Sequence, residues 1–470
     1  MDEISKKVLR TIHASLERMT KAENLTPDQL TEVFMATTAL GYEIARMDYP
    51  ADSLARTSAA EAALVGPTPV ARARPRPAAH DWDAMPGSAL CAAIEAGTIG
   101  EDQATLAGIR DLLVRYHLPM DPVIDAGTRA TYAGGRGDAR KAHIEGAAVE
   151  LTADILRDWL RDHGHAGPEV AVTGLDRLMG GYSKATYIAR IADGPQQSTV
   201  VIRKDSPGLP TGSSVTAEFP ILQEMQAIGV PVPPPLWIEP DASLCSGAFM
   251  GVGFARGTPA NRIVPDDPEV RTCWARSTAQ VLGRIHSATA LPHADVRVSI
   301  SAEIDGLEQR MLERERAPHP GLLVGLRWLR HHIDWLEGRP ACRIHGDVGF
   351  HNMLMNDDRI AALLDWEFSR IGDPVEDLAS IKPFMDQIES WDPFYATYQA
   401  VGGFTVDARA EAYFTVWQET RNMVACLGSL NSLLLPGVYE VPLTVAGTIY
   451  IPKYEVSIFD AISKAESAHG

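Results

Sequence analysis

Apolar residues fall at helical spacing from the first residues onward. Ile4, Val8, Leu9, Ile12, Leu16 and Met19 line one face of a helix expected over 3–20. A second helix is expected to open at Thr26-Pro27-Asp28-Gln29. Threonine can cap there, proline suits the first turn and Gln29 completes a capping box. Leu30, Val33, Phe34, Leu40 and Ile44 form its apolar face. The segment GPTPVARARPRPAA at 66–79 breaks this pattern and reads as an extended linker. Helical spacing resumes at about 86–96 and 101–117. After a turn at 132–137, a longer helix carries Ile144, Val149, Leu151, Ile155, Trp159 and Leu160. The first 140 residues thus read as an all-helical accessory region, with no catalytic cluster.

The period changes near residue 168. VAVTGLDRL, ATYIARIA and STVVIRK are short, β-branched strand patterns separated by glycine and polar turns. Ala217–Ile228 reads as a helix stopped by Gly229. VPVPPPLWIEP follows, then another strand pattern, AFMGVGFA, at 248–255. From 270 onward helices dominate, interrupted by strand-like runs within 341–367. The expected class is α+β. A small, β-rich N-lobe over 141–255 and a mostly helical C-lobe over 256–470 follow the helical region.

The chemistry concentrates in RIHGDVGFHNMLM, which has the form H-x-D-x4-N and ends on an apolar run. Asp365 follows, preceded by AALL. Phosphoryl transfer asks a protein for positioning, for metal neutralisation of the phosphates, and for a carboxylate beside the attacking hydroxyl. Asp347 can accept the hydroxyl proton. Asn352 can offer its amide oxygen to Mg²⁺, and Asp365, at the end of a buried strand, can bind the metal that bridges the phosphates. A hairpin through MLMNDDRIAALLD brings Asp365 back beside Asn352. His345 is expected to brace the loop by hydrogen bonds, and the adjoining His351 is read as packing or loop support. In GDPVE, Asp373 caps, Pro374 takes the first helical position and Glu376 closes a box. Asp377 either lines the site or sits on a solvated helix face.

A nucleotide also needs a cover and a cation. In LMGGYSK, Gly180 and Gly181 let backbone N–H groups approach phosphate, and Ser183 can donate a hydrogen bond. On the next strand, alternation puts Val201 and Arg203 on one face and Lys204 on the other. Arg203 is preferred as the phosphate contact. Glu218, opening the following helix, is the expected partner of Arg203, with Glu224 as the fallback. AFMGVGFARG fits the strand and hinge where adenine would stack. VLGRIH at 281–286 reads as a helix packing under the catalytic loop, with His286 a packed or surface histidine.

Composition narrows the classes. The net charge of −18 argues against a nucleic-acid binder, and permits steering of a cationic substrate as readily as it serves solubility. The 470 residues are too many for one core. The longest apolar runs are too short for a membrane helix, and MDEISKKVLR lacks a signal peptide's apolar stretch. Five scattered cysteines form no CxxC pair and fit a reducing, cytoplasmic setting.

Taken together, LMGGYSKATY, VVIRK, AEFPILQEMQAIGVPVP, LGRIHS, HGDVGFHNML and ALLDWEFSRIGDPVEDLA resemble the aminoglycoside phosphotransferase and choline kinase-like family over roughly 145–430. The likeness is nearest to the subgroup holding kinase-like domains of acyl-CoA dehydrogenase-family proteins and hydroxyacyl-CoA kinases. It implies a bilobal protein-kinase-like fold, ATP or GTP as phosphate donor, Mg²⁺, and a small-molecule alcohol as acceptor. By position it implies Asp347 as base, Asn352 and Asp365 as metal ligands, and Arg203 on phosphate. Two departures stand out: Lys184 replaces the subgroup's asparagine, and FMGVGFARG replaces its Met-Glu hinge. A catalytically silent nucleotide-binding scaffold is the rival from another class. Hydroxyacyl-CoA or a lipophilic alcohol is the rival acceptor to an aminoglycoside or amino alcohol. Asp386, Glu389 and Glu419 are candidate acids on the acceptor side. The helical region outside the resemblance allows for a homodimer.

Overall fold

The computed structural model describes residues 59–66, 87–99, 102–117, 150–178, 184–205, 213–260, 265, 267–356, 358–433 and 445–469, with scattered helical positions before residue 42. The helices expected over 3–20 and 26–44 lie largely outside these residues. So do the linker at 66–79, the turn at 132–137 and the start of the helix expected from 144. The chain divides into two compact units. One comprises residues 135–294 and 340–405, the other residues 1–134, 295–339 and 406–470.

The first unit is built on a five-stranded antiparallel sheet. Its strands are β1 (Ala171–Leu178), β2 (Lys184–Asp193), β3 (Gln196–Asp205), β4 (Pro235–Glu239) and β5 (Phe249–Gly253), in the order β1-β2-β3-β5-β4. Helix α1 (Ala153–Asp162) covers one face. Thr152 accepts from Ile155 N at its start, a cap worth about 1 kcal/mol. Leu156, Trp159 and Leu160 of α1 pack on Ala185, Tyr187, Ala189, Val200 and Ile202. Period-two alternation therefore commits the odd residues of β2 and the even residues of β3 to this core. Register pairs Thr186 with Arg203 and Lys184 with Asp205, so Lys184 and Arg203 share the opposite face. Strand β4 went unread in the sequence because Pro231 and Pro233–Pro235 surround it. Its place at the sheet edge is where a proline's missing N–H is tolerated.

Helix α2 (Val215–Ala227) follows β3, capped by Ser214 on Thr216 N. The later part of the unit holds α3 (Pro268–Ala288), α4 (Pro374–Ile388), α5 (Trp391–Ala400) and five short strands. These strands are β6 (Thr258–Pro259), β7 (Cys342–Ile344), β8 (Met353–Met355), β9 (Ile360–Leu363) and β10 (Arg370–Gly372). The expected hairpin is β8–β9, with Met353 opposite Leu363, and β6 joins it at Met355. Strand β10 pairs with β7, so the chain before Asp347 and the chain after Asp365 are hydrogen-bonded neighbours.

The second unit is helical among the described residues. Its principal helices run Ser88–Glu95, Gln103–His117, Val296–Arg314, Pro320–His331, Ala408–Leu433 and Ile451–His469. Buried Glu455 ties two of them by accepting from Gly321 N at 3.1 Å. A side chain at Gly321 would meet Glu455 Cγ at 2.6 Å, so close helix approach requires glycine there. Trp328 Nε1 donates to Glu466 Oε1 at 2.6 Å, and Tyr413 Oη to Leu329 O at 3.0 Å. No described helix is long and apolar enough to cross a membrane.

Candidate active site

The loop after β7 carries His345, Gly346 and Asp347. Gly346 has φ +80°, and a Cβ there would lie 2.4 Å from Phe368 O, so the turn needs glycine. Asp377, from α4, holds this turn. Its Oδ2 accepts from His345 N at 2.8 Å and its Oδ1 from Gly346 N at 2.8 Å. His286 Nε2 stands 3.1 Å from the same Oδ2, and His286 Nδ1 2.9 Å from Tyr398 Oη. Burial alone would raise the Asp377 carboxyl, but the bonds from His286 and the His345 backbone hold it below the ordinary value. Asp377 and His286 are both fully buried. Of the two readings of Asp377, neither a solvated face nor a site-lining acid fits. It is the brace beneath the loop.

His345 makes the expected bracing contacts. Its Nδ1 accepts from Asp347 N at 3.3 Å and its Nε2 donates to Leu364 O at 2.9 Å. This assigns the Nε2–H tautomer. Asn352 Nδ2 donates to both Asp347 O (2.9 Å) and Asp347 Oδ2 (3.0 Å). Leu364 N donates to Asn352 O at 2.8 Å, which fixes Asp365 next to Asn352. His351 Nε2 also reaches Asp347 Oδ2, at 3.3 Å. Asp347, Asn352 and Asp365 thus stand on one frame, tied by backbone hydrogen bonds.

Asp365 has φ +66°, one of two positive-φ residues other than glycine among those described. Such a backbone costs about 1–3 kcal/mol and persists only where its surroundings impose it. Here the surroundings include buried Trp366, whose Nε1 donates to Leu363 O at 3.1 Å. Arg203 Nη2 donates to Asp365 Oδ1 at 2.7 Å, and Arg203 Nη1 lies 3.4 Å from Glu218 Oε1. Burial alone would lower the Arg203 guanidinium's pKa, but Glu218 and Asp365 raise it above its ordinary value. Glu218 therefore takes the place expected for it, while Glu224 pairs with Arg343 at 2.6 Å. Lys204 points to the other face, where Nζ donates to the carbonyls of Asp205 and Ser246.

Two residues of the network were not assigned from the sequence. Lys184 is buried, with Nζ 2.8 Å from Glu367 Oε2 and 3.5 Å from Glu218 Oε2. Its only signal was the exchange of asparagine for lysine at the start of a strand. Glu367 lay inside the quoted LLDWE and received no role. Two cations, Lys184 and Arg203, are thus interleaved with Glu218, Asp365 and Glu367. Gly180, Gly181 and Ser183 lie outside the described residues. Of the acids considered for an acceptor, Asp386 pairs with Lys382 one helical turn away. Glu389 accepts from Thr272 Oγ1 at 2.6 Å, and Glu419 belongs to the other unit.

Among the described residues, no group of three or more His, Cys, Asp or Glu side chains could hold a metal by itself. Mg²⁺ is commonly held by one or two protein oxygens together with water and substrate phosphates. Asn352, whose Nδ2 is committed to Asp347, and Asp365 supply such a partial set. Among the described residues, Arg203 Nε is buried without an acceptor, a donor suited to a phosphate oxygen.

Comparison with known proteins agrees with this architecture. The profile of the phosphotransferase enzyme family APH matches residues 175–414, just over half of the chain. A mouse protein named acyl-CoA dehydrogenase family member 10 is 28% identical over 215 residues, covering 42% of this chain and 19% of that protein. The Arabidopsis thaliana protein named probable acyl-CoA dehydrogenase IBR3 is 28% identical over 221 residues, covering 42% of this chain and 26% of its own length. The chain therefore matches only about a quarter or less of these relatives. A Ralstonia eutropha structure, provisionally classed as an aminoglycoside phosphotransferase, superposes with a TM-score of 0.50 at 18% identity, covering 67% of this chain and 98% of that one. The fold is kinase-like, as the sequence led one to expect. The chain belongs to the APH family of phosphotransferase enzymes.

Proposed function

We propose that the chain is a small-molecule kinase that moves the γ-phosphate of ATP or GTP onto an acceptor hydroxyl. The observation carrying this reading is the common frame of Asp347, Asn352 and Asp365, with Arg203 reaching it from the sheet. Asp347 is the general base. Two hydrogen-bond partners on its Oδ2, Asn352 and His351, set the carboxylate plane toward the acceptor. Asn352 and Asp365 would hold Mg²⁺, which supplies charge neutralisation and alignment of the phosphates when bound. Arg203, anchored by Glu218, contacts phosphate, and Lys184 keeps Glu218 and Glu367 from standing as unpaired buried acids. Gly180, Gly181 and Ser183 cover the nucleotide, and residues 248–257 receive its base.

Two acceptor classes follow from different observations. The net charge of −18 favours a cationic amino sugar or amino alcohol. The relatives named as acyl-CoA dehydrogenases favour a hydroxyacyl compound. A nucleotide-consumption screen separates them. ATP and GTP are offered with amino sugars, amino alcohols, hydroxy acids, hydroxyacyl-CoAs and lipophilic alcohols, with Asp347→Asn as control. Nucleotide binding without turnover on any acceptor would instead support a silent scaffold.

A further inference from the structure

The first unit contains a cavity of about 760 Å³ lined by none of the phosphate-, metal- or base-catalysis residues named above. Its wall is formed by the outer stripe of α3, the β8–β9 hairpin and the segment after β5. Among the described residues, four arginines line it, Arg256, Arg276, Arg284 and Arg359, against one acid, Asp358. Arg276, Gln280 and Arg284 stand at i, i+4 and i+8 of α3, hence on one face. That face is the solvent side of a helix whose other face buries Trp274, Thr278, Leu282 and Ile285. Arg359 enters from the hairpin and stays 3.9 Å from Asp358, a loose pair whose partners are each 70% exposed. One nitrogen of Arg284 donates to Gly229 O at 2.7 Å, which fixes that side chain against the wall. Among the described residues, Arg256 and Arg276 have no acidic partner.

This excess of positive charge is local and runs against the molecule. A chain of net charge −18 has acids to spare for neutralising four arginines. Like charges converging on one cavity repel one another, and among the described residues its lining supplies a single carboxylate in return. Guanidinium forks match phosphate oxygens bidentately, and several of them around one cavity suit several phosphates better than one. The volume lies within the range of small-molecule sites, while the lining is polar rather than apolar. We infer that this arginine-lined cavity is a binding site for a small molecule bearing two or more phosphate groups, separate from the candidate active site. Arg256 belongs to the segment proposed to receive the nucleotide base, but Arg276, Arg284 and Arg359 have no role in the kinase reading, so the inference does not depend on it.

Calorimetric titration of the full chain with sodium tripolyphosphate tests it, in EDTA and at near-physiological salt. The wild type is expected to bind one equivalent. Arg276→Ser combined with Arg359→Ser should weaken binding about tenfold or more, since each substitution removes a charge-assisted donor set. Both positions are exposed, so an unchanged thermal melt is expected and is checked. The double lysine variant, which keeps the charge and loses the forks, should fall between. Arg203→Met, which removes the phosphate contact proposed for the active site, should still bind one equivalent in the cavity, its fold checked by a thermal melt. Wild-type affinity in the double serine variant, loss of all binding in a folded Arg203→Met, or no binding by the wild type would each overturn the assignment. So would citrate binding as tightly as tripolyphosphate, because the site would then select charge rather than phosphate.

Discussion

Arg203 Nη2 lies 2.7 Å from Asp365 Oδ1, so β3, the middle strand of the five-stranded sheet, reaches the loop after β9 through a single guanidinium. Glu218 Oε1, 3.4 Å from the other terminal nitrogen, completes a chain from α2 to β3 to that loop. Arginine suits this post better than lysine, because its fork addresses two carboxylates at once and its charge survives burial. The same pairing positions one cation and one carboxylate oxygen together, before any nucleotide arrives.

Replacing Arg203 tests that link. Arg203→Met should lower kcat/KM by about 10²-fold or more, the scale of losing one preorganised electrostatic donor. Arg203→Lys should recover part of this, since charge returns without the fork. Steady-state kinetics with nucleotide as the varied substrate reads the effect. Equal kcat/KM in Arg203→Met and wild type would remove Arg203 from the phosphate site.

Asp347→Asn should abolish base catalysis, a loss of about 10²–10⁴-fold in kcat, while nucleotide affinity stays close to wild type. Fluorescent-nucleotide titration beside turnover separates the two quantities. His351, 3.3 Å from Asp347 Oδ2, offers a graded companion. Acting only to orient the carboxylate, its loss in His351→Ala should lower kcat by about tenfold or less with KM unchanged. A collapse in His351→Ala as deep as in Asp347→Asn would move the imidazole into the proton transfer itself.

Much of this site could be read in the chain because its parts are local. His345, Asp347, Asn352 and Asp365 lie within one loop and hairpin, and sequence spacing alone brings them together. Arg203 was legible because strand alternation separates it from Lys204, whose side chain does face the other way. What stayed hidden depended on partners far along the chain. Lys184 matters through Glu367, 183 residues away, and Asp377 through the backbone of His345 and Gly346. Polar residues at such contacts look like surface charges until burial is known. The choice between Glu218 and Glu224 was open for the same reason, since both lie on α2 and only the fold gives Arg343 to Glu224. Strand β4 was masked by prolines that forbid a central strand and permit an edge.

Asp377 carries the third prediction. Asp377→Ala leaves two buried backbone N–H groups without their acceptor and His286 without its partner. Losses of this kind cost about 3–5 kcal/mol, which for a unit of this size lowers Tm by roughly 10 °C. The folded carboxyl sits below its ordinary value of 3.8, so its contribution is fully present above that pH and is lost as pH falls through the folded value. Acid titration should therefore destabilise the wild type more steeply below pH 3.8 than Asp377→Asn. Melts of both proteins across the acid range check this, and parallel curves would count against the brace.

Glu419 gives the opposite sign. It lies on the helix Ala408–Leu433 of the second unit; Ser457 hydrogen-bonds to its carboxyl, and among the described residues its Oε2 is buried with no partner. Burial pushes its carboxyl up to about 7, against a smaller opposing effect from Lys453. A raised carboxyl binds its proton more tightly folded than unfolded. Its neutral form is therefore the stabilising one, and stability falls as pH climbs from the ordinary 4.5 through about 7. Since the residue is only partly buried as a whole, the loss is expected to be on the order of 2 kcal/mol. Glu419→Gln fixes the neutral form, so it should match the wild type near pH 5 and exceed it near pH 8, with a Tm higher by several degrees. Melts at the two pH values decide the matter. A variant that follows the wild type at both would mean that Glu419 ionises in the folded unit without cost.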